Sequence, residues 1–221
     1  VKGGSVQYVD RLNRELVKRD VSLRLGESIK EVKRGPLGVQ ISSQKSDFEY
    51  FDHVVFATHS DDTLKMLVDA DHRESKALDA IKYQSNQAVL HHDESVMPKS
   101  KNCWASWVYT ENNKRSLGPI GLTYWMNSLQ PIPKADPMFV TLNSKNKIDP
   151  YKIYDEVTFR HPVYDLPALE AQKDLAENNG QRNTWFCGAW MKNGFHEDGL
   201  ASALDVVDKF SDRISVKIAA Q

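Results

Sequence analysis

The chain has 221 residues, of which 40% are hydrophobic and 27% are charged, and its formal net charge at pH 7 is -1. This composition is typical of a globular protein with a sizeable core and excludes a disordered chain. The near-neutral balance, without a long run of Lys or Arg, argues against nucleic acid as a partner. A signal-peptide pattern and an apolar run long enough to span a bilayer are both missing from the sequence, so we expect a cytoplasmic protein without a transmembrane segment.

The first sixty residues carry helix signals and then strand signals. Ser5 precedes apolar residues at helical spacing, and its side chain can accept a hydrogen bond from the first turn of that helix. Strands are predicted, in chain order, at 21–25, 29–33 and 39–43, with a further one beginning at 48. Residues 54–57 form a continuous apolar run, which is typical of a parallel strand covered on both faces.

The pattern changes between residues 61 and 183. Two short helices, at 62–69 and 73–81, are followed by five stretches that alternate as strands do. Those strands are predicted near 87–91, 104–110, 121–126, 138–142 and 154–160. Prolines punctuate the connections between them, which favours an antiparallel sheet with long loops. A helix at 166–177 closes this part, which we expect to be a second domain inserted into the first.

The end of the chain returns to an α/β pattern. A buried strand at 184–189 precedes a Gly-rich turn at 194–199 and a long helix with an apolar stripe from Leu200 to Ile214. Such an arrangement presents free backbone N–H groups and a positive helix end to a ligand, and Gly199 permits close backbone approach. The alternative is that Glu197 and Asp198 only cap the helix and offset its dipole.

The segment 185–204 resembles the carboxy-terminal flavin motif of the amine oxidase and phytoene desaturase superfamily. Gly3-Gly4-Ser5 with its helix, the stretch 21–29 and the stretch 51–57 occur in the same order in that family. The match covers the first sixty and the last forty residues well and the middle poorly. The whole chain most resembles a bacterial group described as predicted NAD/FAD-binding proteins, through Tyr124–Asn127, Leu129-Gln130, Val140–Asn143 and 194–199. Members of that group often occur beside cyclopropane-fatty-acid synthases, which suggests a lipid-like substrate.

The resemblance implies an α/β fold with an α+β insert, the C-terminal part of a two-domain FAD-binding oxidoreductase. Its partial Rossmann-like FAD-binding domain would comprise 1–60 and 184–221, and its antiparallel-sheet substrate domain 61–183. The cofactor would be FAD, and the reaction would be hydride transfer from an apolar or amine substrate to the flavin. The alternative is a non-catalytic module, derived from the substrate domain, that binds a ligand or a partner protein.

The resemblance also assigns residues to this site. Ile29 would contact the adenine through its backbone. The flavin would lie beside the residues that end the last strand and begin the last helix, namely Gly188, Ala189, Glu197, Asp198, Gly199 and Leu200. His196 is the candidate catalytic proton donor, and Trp125, Trp190 and Phe195 are candidate walls of the substrate pocket. His91 and His92 are neighbours on a strand and point to opposite faces, so we expect no metal site.

One departure from that superfamily is clear, because no G-x-G-x-x-G occurs among the eleven glycines. In this kind of fold that loop holds the FAD pyrophosphate. We therefore expect the chain to be the C-terminal part only, without the phosphate-binding loop. Alone it should not be a stable FAD-bound monomer, and we expect a complementary N-terminal chain or self-association.

Overall fold

The computed structural model describes residues 3–110 and 121–219, and side chains as far as residue 213. The chain divides into two compact units, one made of residues 1–80 and 169–221 and the other of residues 81–168. The two short helices after residue 60 and most of the helix after residue 165 therefore belong to the first unit, although the sequence placed them in the inserted domain. No helix among the described residues combines the length and apolarity needed to cross a membrane.

The first unit begins with helix α1, which spans Val6–Lys18 as predicted. Its N-terminus differs from the prediction, because Ser5 has helical backbone angles and its side chain makes no capping hydrogen bond. None of the residues of α1 is buried. Val6, Val9 and Leu12, expected to face a core, are between 46% and 57% exposed.

A three-stranded antiparallel meander follows α1, with strands β1 (Ile29–Gly35), β2 (Gly38–Ser43) and β3 (Glu49–Phe51). The strand predicted at Val21–Leu25 is not formed, although its residues alternate as a strand would. Three of its apolar side chains are exposed. A strand requires a neighbour for its backbone hydrogen bonds, and no other described segment pairs with this one.

The apolar run at 54–57 forms strand β4 (Val54–Phe56), which is followed by helices α2 (Ser60–Met66) and α3 (His72–Ala80). Near the other end of the chain, helix α5 (Leu166–Asn178) leads to strand β10 (Thr184–Phe186) and helix α6 (His196–Ala219). Strands β4 and β10 pair in parallel, which confirms that the two apolar runs share one sheet. Only Phe56 of β4 is buried, however, and Val55 is 51% exposed rather than covered.

A buried ion cluster joins the meander to the helices of the first unit. The Arg34 guanidinium, 1% exposed, donates to the carboxylate of Asp69 at 3.0 Å and to that of Glu74 at 2.7 Å. Arg182 reaches Asp69 from the other side at 2.6 Å, with its own side chain 42% exposed. Two carboxylates therefore share one buried and one partly exposed cation.

The second unit is built on a five-stranded antiparallel sheet in the order β6-β7-β8-β5-β9. Its elements in chain order are β5 (Lys82–His91), β6 (Trp107–Thr110), β7 (Gly121–Trp125), the one-turn helix α4 (Met126–Leu129), β8 (Phe139–Leu142) and β9 (Ile153–Val163). The antiparallel sheet predicted for this part is confirmed. Its core packs Val89 and Phe139 against apolar side chains of the loops, among them Val96 and Ile148.

Candidate functional site

The parallel pairing of β4 with β10 brings two turns of the chain together at the carboxyl ends of these strands. Val54 lies opposite Thr184 and Phe56 opposite Phe186, and the two phenyl rings stack at 5.8 Å. The pairing extends past the strand, since the Cys187 N–H donates to the Phe56 carbonyl at 2.9 Å. The carboxyl ends of parallel strands are where open α/β sheets bind ligands. The turns after Phe56 and after Phe186 are therefore the elements of a candidate site.

Gly188 turns the chain at the end of β10, and its backbone angles are φ 142 and ψ 161. A Cβ at this position would lie 2.7 Å from Nε1 of Trp190, which is closer than real Cβ atoms approach. The Trp190 indole N–H donates to the Thr58 carbonyl at 2.9 Å, and the side chain is 3% exposed. Trp190 thus ties the turn after β10 to the turn after β4. Because the Trp190 side chain is buried and its indole N–H already has an acceptor, Trp190 supports the two turns and is not an exposed wall of a pocket.

Helix α6 begins at His196, so the predicted turn at 194–199 ends at residue 195, four residues earlier than expected. Asp198 caps the helix, its carboxylate accepting from the Phe195 N–H at 2.9 Å, and Gly199 bonds back to the Phe195 carbonyl at 3.2 Å. The capping interpretation therefore holds for Asp198. The first turn of a helix still presents backbone donors and the positive end of the dipole at this edge.

Ser202 links this helix to the strand, a role that sequence reasoning missed. Its hydroxyl accepts from the Gly188 N–H at 2.8 Å and donates to the Gly199 carbonyl at 2.8 Å, while the side chain is 3% exposed. Gly199 itself comes close to the preceding turn, because a Cβ there would be 3.8 Å from the Ala189 nitrogen. The only sequence signal would have been a serine on the helix face that packs against the strand.

The remaining predicted site residues divide into two groups. Phe195, His196, Glu197 and Leu200 are exposed beside the candidate site, with Phe195 70% and Leu200 52% exposed. Trp125 lies in the second unit and packs in its core, with its ring edge-on to Trp104 at 5.3 Å. The structure therefore brings the residues from Gly188 to Leu200 together, whereas Trp125 is part of a separate core.

Ile29 lines a cavity of about 290 Å³ in the first unit, beside the meander. Ser22, Arg24 and Glu49 also line it. The Arg24 guanidinium donates to both oxygens of Glu49, at 2.5 and 2.8 Å, and this hydrogen bond lowers the pKa of Glu49 to about 2. The residue predicted to contact adenine thus borders a small cavity with a fixed ion pair in its wall.

Two neighbouring histidines of the second unit, His91 and His92, make contacts within the protein rather than with each other. His91 is fully buried, its Nδ1 accepts from the Asp93 N–H at 3.1 Å, and its Nε2 contacts the Thr141 hydroxyl at 2.7 Å. Burial lowers the pKa of His91, so the ring is neutral with its proton on Nε2. His92 stacks near Tyr154 instead, at 5.1 Å.

A different trio, His59, Asp61 and Asp62, has ligand atoms within 4.8 Å of one another at the N-terminus of α2. The Lys65 ammonium already contacts both carboxylates, at 3.6 and 2.8 Å. A cation on the carboxylates opposes the binding of a second one, so we assign no metal to this trio. The expectation of a chain without a metal stays a prediction.

The residues at the sheet edge fit one end of a flavin nucleotide. Backbone donors at the start of α6, close approach at Gly199 and the exposed ring of Phe195 suit the flavin ring. The diphosphate is not accounted for, because the printed sequence contains no G-x-G-x-x-G loop. The contact of Ile29 with an adenine stays a prediction.

Two solved structures share this fold. A fatty acid isomerase from P. acnes that produces CLA aligns with TM-score 0.58 and 17% identity over 83% of this chain and 47% of its own. A UDP-galactopyranose mutase in its reduced form aligns with TM-score 0.52 and 10% identity over 79% of this chain and 43% of its own. The chain therefore spans less than half the length of either structure, and the likeness shows the fold alone. No protein-family model matches the sequence, and neither does any curated protein.

Proposed function

We propose that the chain forms the C-terminal part of a FAD-dependent oxidoreductase that acts on an apolar or amine substrate. The observation that carries this proposal is the parallel pairing of β4 with β10, which places the Thr58 and Gly188 turns at one sheet edge. Bound FAD would supply the redox chemistry by accepting a hydride.

In this proposal the chain's own residues bind and orient the cofactor. The first turn of α6 offers backbone donors and a positive dipole end to the negative charge that a reduced ring carries. Gly199 lets the backbone approach the ring, and Ser202 holds the helix on the turn at Gly188. His196, exposed at the first position of α6, is a candidate proton donor to the ring or the substrate.

The test is a visible absorption spectrum of the protein produced from its complete gene. We expect the bands of oxidised flavin, and FAD in the supernatant after heat denaturation. A colourless protein would end the oxidoreductase proposal and favour the alternative, a module that binds a ligand or partner without catalysis.

A matched pair of glycine variants tests whether the flavin ring lies at the N-terminus of α6. Gly199→Leu should lower the flavin content, because its side chain would stand between α6 and the ring. Gly35→Leu is the control, since an added Cβ meets ordinary contacts at both positions, 3.8 Å at Gly199 and 3.9 Å at Gly35. Equal flavin contents in the two variants would show that the flavin ring does not lie at the N-terminus of α6.

We also propose that a complementary polypeptide segment with the phosphate-binding loop covers the exposed apolar surface of the first unit. That surface includes Val6 and Val9 of α1 and Val55 of β4, each more than half exposed. Among the described residues, β4 pairs only with β10, so its other edge can accept a strand. Each uncovered side chain of this size forgoes roughly 1.5–3 kcal/mol of burial.

The 221-residue chain alone should therefore self-associate or unfold readily, which light scattering and thermal unfolding will measure. A monodisperse, thermally stable monomer that retains a full complement of FAD would contradict this proposal.

A further inference from the structure

One face of the sheet in the second unit is apolar and open. Directly opposed residues of antiparallel strands point to the same face. Trp107 opposes Tyr124, Ala88 opposes both Leu142 and Val157, and Asn86 opposes Phe159. We call this side the open face, to which Trp107, Tyr109, Tyr124, Leu142, Val157 and Phe159 contribute. The opposite side carries Val89, Phe139 and the rest of the core.

Large apolar side chains on the open face remain in contact with solvent. Trp107 is 57%, Tyr109 67%, Phe159 50% and Val157 44% exposed in the whole chain. A contiguous apolar surface of this kind marks a binding site more often than isolated exposed side chains do.

The two ends of the open face differ in polarity. His161 opposes Gln84 at one end of β9, and Asp155 opposes Leu90 toward the other. Six strand positions separate His161 from Asp155, which corresponds to about 20 Å. The side chains between them on this face, Val157 and Phe159, are apolar. A ligand with a hydrogen-bond acceptor at one end is repelled by the Asp155 carboxylate and attracted to a donor at His161.

A chain of hydrogen bonds fixes which nitrogen of His161 is that donor. The Gln87 backbone N–H, which can only donate, bonds to the Asn143 side-chain oxygen at 3.2 Å. The Asn143 amide nitrogen must then donate to the Asn86 oxygen, at 2.7 Å. The Asn86 amide nitrogen in turn donates to His161 Nδ1, at 2.8 Å. Since Nδ1 accepts, the proton of the neutral ring lies on Nε2.

A second contact of Asn86 agrees with the assignment of its amide nitrogen as the donor to His161. The Asn86 amide nitrogen also lies 3.3 Å from the Gln84 carbonyl oxygen, a group that can only accept. The His161 ring is exposed, and it contacts Phe159 edge-on with ring centroids 6.2 Å apart. Within the described parts of the chain no group accepts a hydrogen bond from Nε2, so this donor is available to a ligand.

We propose that the open face binds an apolar-chain carboxylate, with the chain across Val157 and Phe159 and the carboxylate accepting a hydrogen bond from His161 Nε2–H. Asn86 is a positioning residue that holds the imidazole in this tautomer. The inference rests on the proposed function for the idea of a small-molecule substrate, and it deepens that function by naming the substrate's polar end and its partner.

The test is calorimetric titration of the full-length protein with decanoate and, as the uncharged comparison, decanol. His161→Phe should weaken decanoate binding by about tenfold or more, because it removes a hydrogen bond to a charged group. The same variant should change decanol binding by much less. His72→Phe, the same substitution on α3 of the first unit, is the control and should change neither.

Val157→Asp tests the apolar part of the site and should weaken both ligands by about tenfold or more, because it puts a charge in the path of the chain. Circular dichroism will show that each variant is folded. Unchanged binding in Val157→Asp, or equal losses of decanoate and decanol in His161→Phe, would overturn the proposal. A protein that binds neither ligand but dissociates from dimer to monomer on Val157→Asp would show that a second copy covers the open face.

Nitrogen NMR of histidine-labelled protein reads the tautomer directly. We expect the Nε2–H form for His161, assigned by its absence in His161→Phe, and a mixture of forms in Asn86→Leu. An Nδ1–H form in the wild type would overturn the assignment. The outcomes are separable from those of the flavin test: a colourless protein that binds decanoate refutes only the proposed function, and a flavin-containing protein that does not bind it refutes only this inference.

Discussion

Substituting Gly188 by alanine tests whether the turn after β10 is as constrained as its contacts indicate. Its backbone angles, φ 142 and ψ 161, lie in a region that is open essentially to glycine alone. The added methyl group would also lie 2.7 Å from Trp190 Nε1. Trp190 has little freedom to move away, because its indole N–H is held by the Thr58 carbonyl at 2.9 Å.

The two effects can be given separate magnitudes. A residue held in so unfavourable a backbone region costs about 1–3 kcal/mol. Forcing an extra carbon into a packed interior costs about 1–3 kcal/mol more. Gly188→Ala should therefore lower the free energy of unfolding of the first unit by about 4 kcal/mol, and it should reduce flavin retention because the turn borders the candidate site.

Gly26→Ala separates backbone strain from steric overlap. Gly26 also has a positive φ, +63, but a Cβ there meets nothing within 4 Å. Its substitution should cost only the left-handed backbone penalty, about 1–2 kcal/mol. Urea unfolding followed by tryptophan emission is the assay, since Trp185 and Trp190 both lie buried in this unit. If Gly188→Ala proved no more destabilising than Gly26→Ala, the steric argument would be refuted.

Three further perturbations follow from the contacts of the first unit. Arg34→Met should lower the free energy of unfolding by about 3 kcal/mol, because it removes a buried cation from two carboxylates. Arg182→Met, which removes the partly exposed cation from the same two carboxylates, should lower it by less than about 1 kcal/mol. Equal losses of stability in urea unfolding would contradict this difference between the two arginines. Ser202→Ala should cost about 1–3 kcal/mol, since a buried backbone N–H loses its acceptor, and Ser202→Thr should recover part of this if the hydroxyl is the cause. The hydrogen bond from Arg24 lowers the pKa of Glu49 from 4.5 to about 2; this stabilisation is present above pH 4.5 and is lost as the pH falls toward 2, so Glu49→Gln should show less acid destabilisation over that interval than the wild type.

Local patterns determined which elements form. The spacing of apolar residues predicted α1, and the strand patterns at 29–33 and 39–43 predicted β1 and β2. The continuous apolar runs predicted β4 and β10, and the proline-punctuated middle predicted an antiparallel sheet. These features follow from sequence because helix and strand periodicity, and the φ angles that turns require, are properties of neighbouring residues.

Tertiary contacts decided which face of each element is buried. The stripe predicted on α6 contains Leu200, Leu204 and Val207, all more than half exposed, whereas Ser202 and Val206 are the residues buried against the strand. Apolar side chains surround much of this helix, so periodicity does not select one face. Val21–Leu25 shows the converse, since its alternation predicts a strand that no described neighbour pairs with.

The same limit applies to the candidate sites. Sequence reasoning found the strand, turn and helix from Gly188 to Gly199, because glycine and helix-capping residues act locally. It did not identify Ser202 as the link between them, nor the role of Trp190 beneath the turn, since each depends on a partner contributed by another element. His161 lies just beyond the strand predicted near 154–160, and only the register of β5 against β9 brings it beside Asn86. The sequence determines which chemical groups a side chain carries, but strand pairing and packing between distant segments determine its hydrogen-bond partners.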